Sequence, residues 1–323
     1  MPKYVVIGDS PASNNRVDLE PLEAGMKTGG QGDVFFLNNQ TCIKILRNPG
    51  SINHIKPILS LYRKVENFST PPKELAWDGQ SVAGYTMERL DNWNGLNEIM
   101  TKSDSESLGI DLKSTGIILT ALCRAIREIH KHGFVIGDLN PSNVLFKRLD
   151  NNRFLVKIID VDSWSVYRAD LGIDFASKVL DTGAIFHPDL IRAERAGKQW
   201  PRFTPHHDWW AFAYLCWMVL AKHDPFVTGK TDDKDREDRI LEKCTANSAL
   251  SVKLNPKFGP ALQALGPKLR LYLDRCLKEK VRNRPFPTNV LTEFAYNLRK
   301  CRCGFTAHAS AMTCPNCAKF LDA

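Results

Sequence analysis

Apolar residues fall in short blocks over the first third of the chain and at helical spacing afterwards. Val34-Phe35-Phe36-Leu37, Thr41-Cys42-Ile43-Lys44-Ile45-Leu46 and Val82 to Met87 read as strands, separated by turn-forming stretches such as Asn38-Asn39-Gln40. One helical segment, Ile52 to Glu66, interrupts them. From Asp111 the period changes: Ile118, Leu119, Leu122, Cys123, Ile126 and Ile129 recur on one helical face, and Gly133 follows as a C-terminal cap. Beyond residue 205 nearly everything reads as helix. The most apolar block, Trp209 to Ala221, follows the charged Asp208 and falls short of the ~20 residues that a membrane span needs, so it is expected as a buried helix. Lys230 to Lys243 is charged throughout and is expected as a surface excursion. No internal repeat is visible. The pattern predicts an α+β protein, a small β-rich lobe followed by a larger helical lobe.

Composition narrows the class without changing that picture. A chain of 323 residues holds one large or two medium domains plus an appendage, and 43% apolar with 25% charged residues is an ordinary globular balance. The formal charge of +8 suits an anionic ligand such as a nucleotide, but it serves solubility equally well, and nucleic acid is not expected as a partner. The start, Met1 to Gly8, has too short an apolar run for a signal peptide. Nine cysteines, odd in number and mostly scattered, argue against a disulfide framework and for a reducing cytoplasm, with no membrane partner.

Three stretches carry candidate chemistry. In Gly137-Asp138-Leu139-Asn140-Pro141-Ser142-Asn143-Val144-Leu145, an Asp is followed five residues later by an Asn and then an apolar pair. That spacing resembles the loop on which kinase-type phosphotransferases carry a base for the attacking hydroxyl (here Asp138) and a magnesium ligand (here Asn143); a solvated turn has the same look. Gly29-Gly30-Gln31-Gly32-Asp33-Val34 lies between strands, where small residues let backbone N–H groups approach phosphate oxygens, although a plain hairpin turn also fits. Ten residues past Val34, Lys44 sits among apolar strand neighbours. It either faces solvent from an edge strand or reaches the α- and β-phosphates of a nucleotide.

Taken in order, these stretches resemble the protein kinase family over roughly residues 25 to 298. Lys44 matches the phosphate-binding lysine, and Met87-Glu88-Arg89-Leu90 the gatekeeper and hinge. Asp138 and Asn143 match the base and a metal ligand. Asp160, in Val156-Lys157-Ile158-Ile159-Asp160-Val161-Asp162, matches the Asp of the Asp-Phe-Gly motif. Thr182 to Asp189 resembles the end of an activation segment, His207 to Ala213 the helix after it, and Arg284 the arginine that pairs with the carboxylate at position 189. The resemblance implies a two-lobed kinase-like fold, with an N-lobe over residues 1–90 that includes a short N-terminal extension and a C-lobe over 91–298. It implies ATP and Mg2+ as cofactors, with Asn143 and Asp160 on the metal. Gly29, Gly30, Gly32 and Val34 would cover the nucleotide. Cys42 and Leu145 would lie against the adenine, beside Met87, Glu88 and Leu90 of the hinge. Thr182, seven residues before Asp189, points to Ser/Thr specificity and a protein substrate.

The departures are as informative. Ile136-Gly137 stands where the family has His-Arg, Val161 where it has Phe, and Asn140 where it has Lys. No Glu is well placed in the segment Ile52 to Glu66, so Lys44 is expected to pair with Asp160 alone. Gly137 before Asp138 also resembles small-molecule kinases, against which stand His187-Pro188-Asp189, Asp208 and Arg284. The Ile-Gly-Asp-Leu-Asn-Pro-Ser-Asn loop and Asp-Val-Asp-Ser-Trp most resemble a bacterial group. Its members occur near tellurium-resistance-type von Willebrand proteins and a phosphatase, and carry a C-terminal cysteine module. That module is residues 299–323: Cys301, Cys303, Cys314 and Cys317 are expected to bind a structural Zn2+ as a zinc ribbon. Cys301-Arg302-Cys303 has one spacer residue where two are usual, which leaves His308 as an alternative ligand and free thiols as the other reading. The expected function is a cytoplasmic Ser/Thr protein kinase; the alternatives are an ATP-binding pseudokinase scaffold or a small-molecule kinase.

Overall fold

The computed structural model describes residues 2–29, 31–48, 55–149, 153–176, 187–226, 233–242, 259–278 and 288–321. Seven strands build the first lobe: β1 (Tyr4–Ile7), β2 (Asn15–Asp18), β3 (Lys27–Thr28), β4 (Gly32–Phe36), β5 (Thr41–Leu46), β6 (Glu74–Asp78) and β7 (Ser81–Glu88). They form one sheet in the order β2-β1-β6-β7-β5-β4-β3. The three sequence-predicted strands are β4, β5 and β7. The hairpin of β1 and β2 carries too few residues to show a period, yet it extends the sheet by pairing β1 with β6. Val5, Ile7, Leu19, Phe35, Ile43 and Ile45 close a separate apolar cluster on this lobe.

Of the predicted helix at Ile52 to Glu66, residues 52–54 lie outside the described residues and the remainder is a broken helix. A 3-10 turn at Lys56–Ile58 leads into α1 (Leu59–Tyr62) and a second 3-10 turn at Arg63–Val65. Pro57 in the first turn and the absence of a side-chain cap leave its order to the burial of Ile58, Leu61, Tyr62 and Val65.

The rest is mainly helical. β8 (Asn94–Gly95) and α2 (Lys102–Ser107) precede α3 (Leu112–Lys131), whose six periodic residues are all fully buried. Asp111 caps α3 by accepting from Ser114 N at 2.7 Å, and Gly133 follows its end at φ +82°. Two small sheets flank it: β8 with β10 (Val144–Arg148) and β11 (Phe154–Ile158), and β9 (Phe134–Val135) with β12 (Ser165–Arg168) and β13 (Ile173–Phe175). Then come α4 (Pro188–Arg195), α5 (Pro205–Ala221), α6 (Asp233–Leu241), α7 (Gly259–Ala264), α8 (Gly266–Lys278) and α9 (Thr288–Tyr296). As expected, α5 is buried along almost its whole length, and the main core is built around it and α3. Among the described residues no helix is long and apolar enough to cross a membrane.

The charged stretch, described over residues 233–242, is a surface helix docked by one face. Within it, α6 buries Ile240 and the guanidinium of Arg236, which reaches Asp224 and the Tyr214 hydroxyl, both at 2.7 Å. Its polar sequence hides this because the partners lie on the preceding helix and loop.

The chain ends with β14 (Leu298–Lys300) and β15 (Thr306–His308) paired in a short hairpin. It is docked rather than trailing. The His308 ring stacks on Phe294 with centroids 6.2 Å apart, and Ala264 and Leu112 pack into its small apolar cluster.

Candidate active site

Strand register brings the candidate residues to one cleft. In the antiparallel pair β5–β7, Lys44 lies opposite Tyr85, so both side chains rise from the same face. Gly84 is forced by this closeness, since a Cβ there would meet the Lys44 carbonyl oxygen at 2.0 Å. Between the lobes, Ile158 at the end of β11 donates to Phe68 O (2.9 Å) and accepts from Thr70 N (3.2 Å). Ile159 N donates to Asn143 O at 2.9 Å, which ties the segment leading to Asp160 to the loop carrying Asp138.

That loop is fixed from below and within. The fully buried Asp208 of α5 accepts from Ile136 N, Gly137 N and His130 Nε2, each at 2.8 Å. Gly137 has φ +72°, a conformation that costs a side-chain-bearing residue roughly 1–2 kcal/mol, which accounts for glycine there. Asn140 Nδ2 donates to Asp138 Oδ1 (2.9 Å), and Asn143 Nδ2 to Asp138 Oδ2 (3.1 Å), so both carboxylate oxygens are oriented by amides. Asn140 also caps the following turn, accepting from Ser142 N and Asn143 N. It therefore holds the loop in place but brings no cation.

Lys44, buried in β5, forms ion pairs with Asp160 and with Asp162, the latter at 2.8 Å. The expectation of a single partner is corrected here. Glu66 and Ser60 are exposed and His54 lies outside the described residues, so Asp162 takes the place left by a helix-borne Glu. Its signal was the i, i+2 pair of Asp residues flanking Val161. Asp162 Oδ1 also accepts from the Tyr85 hydroxyl at 2.6 Å. Burial alone would raise the Asp162 carboxyl and lower the Lys44 amine, but their mutual attraction outweighs it, leaving Asp162 below and Lys44 above their ordinary values. Asp160 is pushed up, first by burial and then by the neighbouring Asp162. It adopts a left-handed backbone conformation (φ 64°, ψ 46°), held by Ser163 Oγ donating to its carbonyl at 2.9 Å.

Lys44, Tyr85, Asp138, Asn140, Asn143 and Asp160 line a cavity of about 760 Å3 together with Gly29, Gly32, Val34, Cys42, Met87, Glu88, Leu90 and Leu145. Gly30 lies outside the described residues. The Cys42 thiol faces the Met87 and Glu88 carbonyls, and burial pushes its pKa up to about 11, so it is an apolar wall rather than a nucleophile. Glu88 pairs with Lys157 of β11, joining the hinge to the large lobe. The cavity also reaches Met100, Leu215 and Met218, an apolar extension that the sequence did not suggest. Asp189 is paired with Arg192 at 2.9 Å; its expected partner Arg284, and Thr182, lie outside the described residues.

The four cysteines of the terminal hairpin converge. Cys301 and Cys317 are 3.6 Å apart at sulfur, as are Cys303 and Cys314, and the four sulfurs lie within 4.8 Å of one another. Sulfurs at ~2.3 Å from a tetrahedral zinc ion stand ~3.8 Å apart, so the donor set fits that ion. The Phe305 N–H and the neighbouring thiols bring Cys303 down to about 6, toward the thiolate that a metal needs. His308 stays outside the set, with Nδ1 bonded to Ser310 Oγ at 2.8 Å.

Comparisons with known proteins bear on the fold and the family. The described fold is similar to that of the Cydia pomonella granulovirus kinase, with a TM-score of 0.57 at 16% identity over 83% of this chain and 91% of that one. It is also similar to the autoinhibited serine kinase domain of the giant muscle protein titin, with a TM-score of 0.59 at 14% identity over 84% and 79%. Human myotonin-protein kinase is 26% identical over 113 residues, 35% of this chain and 17% of that protein. A probable serine/threonine-protein kinase of Dictyostelium discoideum is 22% identical over 284 residues, 75% of this chain and 57% of that protein. The chain thus matches only part of the length of these curated relatives. The model of the protein kinase domain matches residues 79–294, more than half of the chain. This chain belongs to the protein kinase domain family.

Proposed function

We propose that the chain is an ATP- and Mg2+-dependent Ser/Thr protein kinase whose two lobes divide near residue 90 and whose residues 299–323 form a zinc-binding module. The observation that carries this reading is the convergence of Lys44, Asp138, Asn143 and Asp160 on one cleft. Val34, Cys42 and Leu145 offer apolar surfaces to an adenine, and Lys44 offers its ammonium to the α- and β-phosphates. Asp138 takes the proton of the acceptor hydroxyl as the oxygen–phosphorus bond forms and the bond from the γ-phosphorus to the bridging oxygen of ADP breaks. Asp160 opens a quarter-exposed carboxylate to the cavity, and Asn143, whose amide nitrogen is given to Asp138, has an oxygen to present, a hard donor pair suited to Mg2+. Mg2+ bound there would supply positive charge against the transferring phosphoryl group. The terminal thiolates would hold Zn2+ as a structural ion.

The acceptor is read as a protein, and the von Willebrand-type protein and phosphatase suggested by the bacterial resemblance are the first candidates to test as partners. The test is transfer of labelled γ-phosphate to these proteins or a generic basic protein. Asp138→Asn should lower the rate at least a hundredfold while nucleotide still binds. Wild-type protein that is stabilised by ATP with Mg2+ yet transfers nothing would favour a nucleotide-binding scaffold. That second reading draws on Asn140, which supplies an amide where a cation would assist transfer.

A further inference from the structure

Two carboxylates and one ammonium meet behind the cleft, and they are not equivalent. Asp160 lines the cavity, with a quarter of its side chain exposed. Asp162 is 5% exposed, does not line the cavity, and adds the Tyr85 hydroxyl as a second donor. Because Lys44 and Tyr85 are register partners across β5 and β7, two neighbouring strands present both donors to one carboxylate.

The turn that separates the two Asp residues is itself anchored. Tyr62 of α1 donates its hydroxyl to Val161 O at 3.2 Å, and Trp164 N returns to the same carbonyl at 3.1 Å. The Tyr62 ring stacks on Phe134 at 4.9 Å, and Phe134 meets Trp164 edge-on. Val161 is fully buried beneath them. One carboxylate is thereby open to the cleft and the other buried against Lys44 and Tyr85.

Charge counting adds a direction. With one ammonium between two carboxylates, the group carries one negative charge in excess. A divalent cation at Asp160 would compensate that excess, and Asp162 would remain as the counter-charge of Lys44. We propose that Asp162 is the positioning residue for Lys44, keeping its ammonium group at the rear of the cleft while Asp160 leaves the lysine for a divalent cation. This rests on the nucleotide-binding reading given above. It also means that Lys44 is held by the turn that carries Asp160, with no acidic residue of the α1 segment required.

The test is calorimetric titration of the full chain with ATP over a series of Mg2+ concentrations, with thermal midpoints measured without ligand. Asp162→Asn leaves Lys44 with Asp160 alone, so the Mg2+ concentration for half-maximal ATP affinity should rise at least tenfold. Asp162→Glu should recover most of that shift, because it restores the charge. A wild-type Mg2+ requirement in Asp162→Asn, whatever its thermal midpoint, overturns the proposal, as does a shift that Asp162→Glu leaves untouched. Should Asp162→Asn fail to fold, Tyr85→Phe removes one hydrogen bond from the same carboxylate and is expected to raise the requirement about threefold; no rise would overturn the proposal. Wild type that binds ATP with Mg2+ but moves no phosphate refutes catalysis and leaves this inference standing. Wild type that binds no nucleotide overturns both.

Discussion

Asp208 offers a severe test of how the active-site loop is held. Its carboxylate is wholly buried and receives two backbone N–H groups, from Ile136 and Gly137, as well as His130 Nε2. In Asp208→Ala the two N–H groups lose their acceptor inside the core. Each unsatisfied buried donor costs about 1–3 kcal/mol, and the partly accessible His130 less, so the total should be about 3–5 kcal/mol. Asp208→Asn keeps one carbonyl oxygen and sets an amide against the other donor, for a loss of about 2 kcal/mol. At ~2.1 cal/mol/K per residue, a chain of 323 residues shifts its thermal midpoint by about 1.5 °C per kcal/mol, so the Ala variant should melt roughly 4–7 °C early. Denaturant titration and thermal unfolding measure both variants. Below their transitions, any phosphoryl transfer should fall about a hundredfold in Asp208→Ala, since a displacement of ~1 Å at Asp138 suffices for that. An Ala variant within 1 kcal/mol of wild type, with its transfer rate intact, would show that the loop keeps its shape without α5.

Two further outcomes follow from other parts of the molecule. Burial holds His207 and His223 below their ordinary values, so the unfolded chain binds more protons than the folded one as pH falls below about 6.5. Their contribution to stability is complete above that pH and lost as it drops toward their folded values. The denaturation midpoint should therefore decline from pH 7.5 to 5.5, and a flat profile would contradict it. The purified chain should also carry about one equivalent of zinc. Because the terminal hairpin packs on Leu112, Ala264 and Phe294, chelation should lower the thermal midpoint of the large lobe as well as open the tail to protease; an unchanged midpoint would mean that the hairpin adds nothing to that lobe.

The residues best read from sequence were those whose neighbours along the chain announce them. Asp138 and Asn143 share a loop, Lys44 stands alone in an apolar strand, and the buried faces of α3 and α5 follow their periodicity. What escaped depended on contacts between distant segments. Asp162 acquires its place only when Lys44 and Tyr85, 118 and 77 residues earlier in the chain, align across two strands. Arg236 is buried because Tyr214 and Asp224 receive it, though its own helix is polar. The strands β1 and β2 are too short for a period and become strands through β6. The α1 segment is helical by pattern, but Pro57 and tertiary packing divide it into turns.

The N-terminal hairpin bears on the order in which the chain is made. The outer cluster of the small lobe draws only on residues up to Ala83, so it can close soon after β7 leaves the ribosome. The inner face cannot. Tyr62 and Tyr85 wait for Val161 and Asp162, which follow the end of β7 by roughly seventy-five residues, or about 4–15 s at ordinary rates of synthesis. Through that interval the sheet would have one finished side and one side whose buried lysine still lacks its counter-charge. The first lobe is thus a half-built object until the turn after β11 arrives, and its completion coincides with the appearance of the cleft itself.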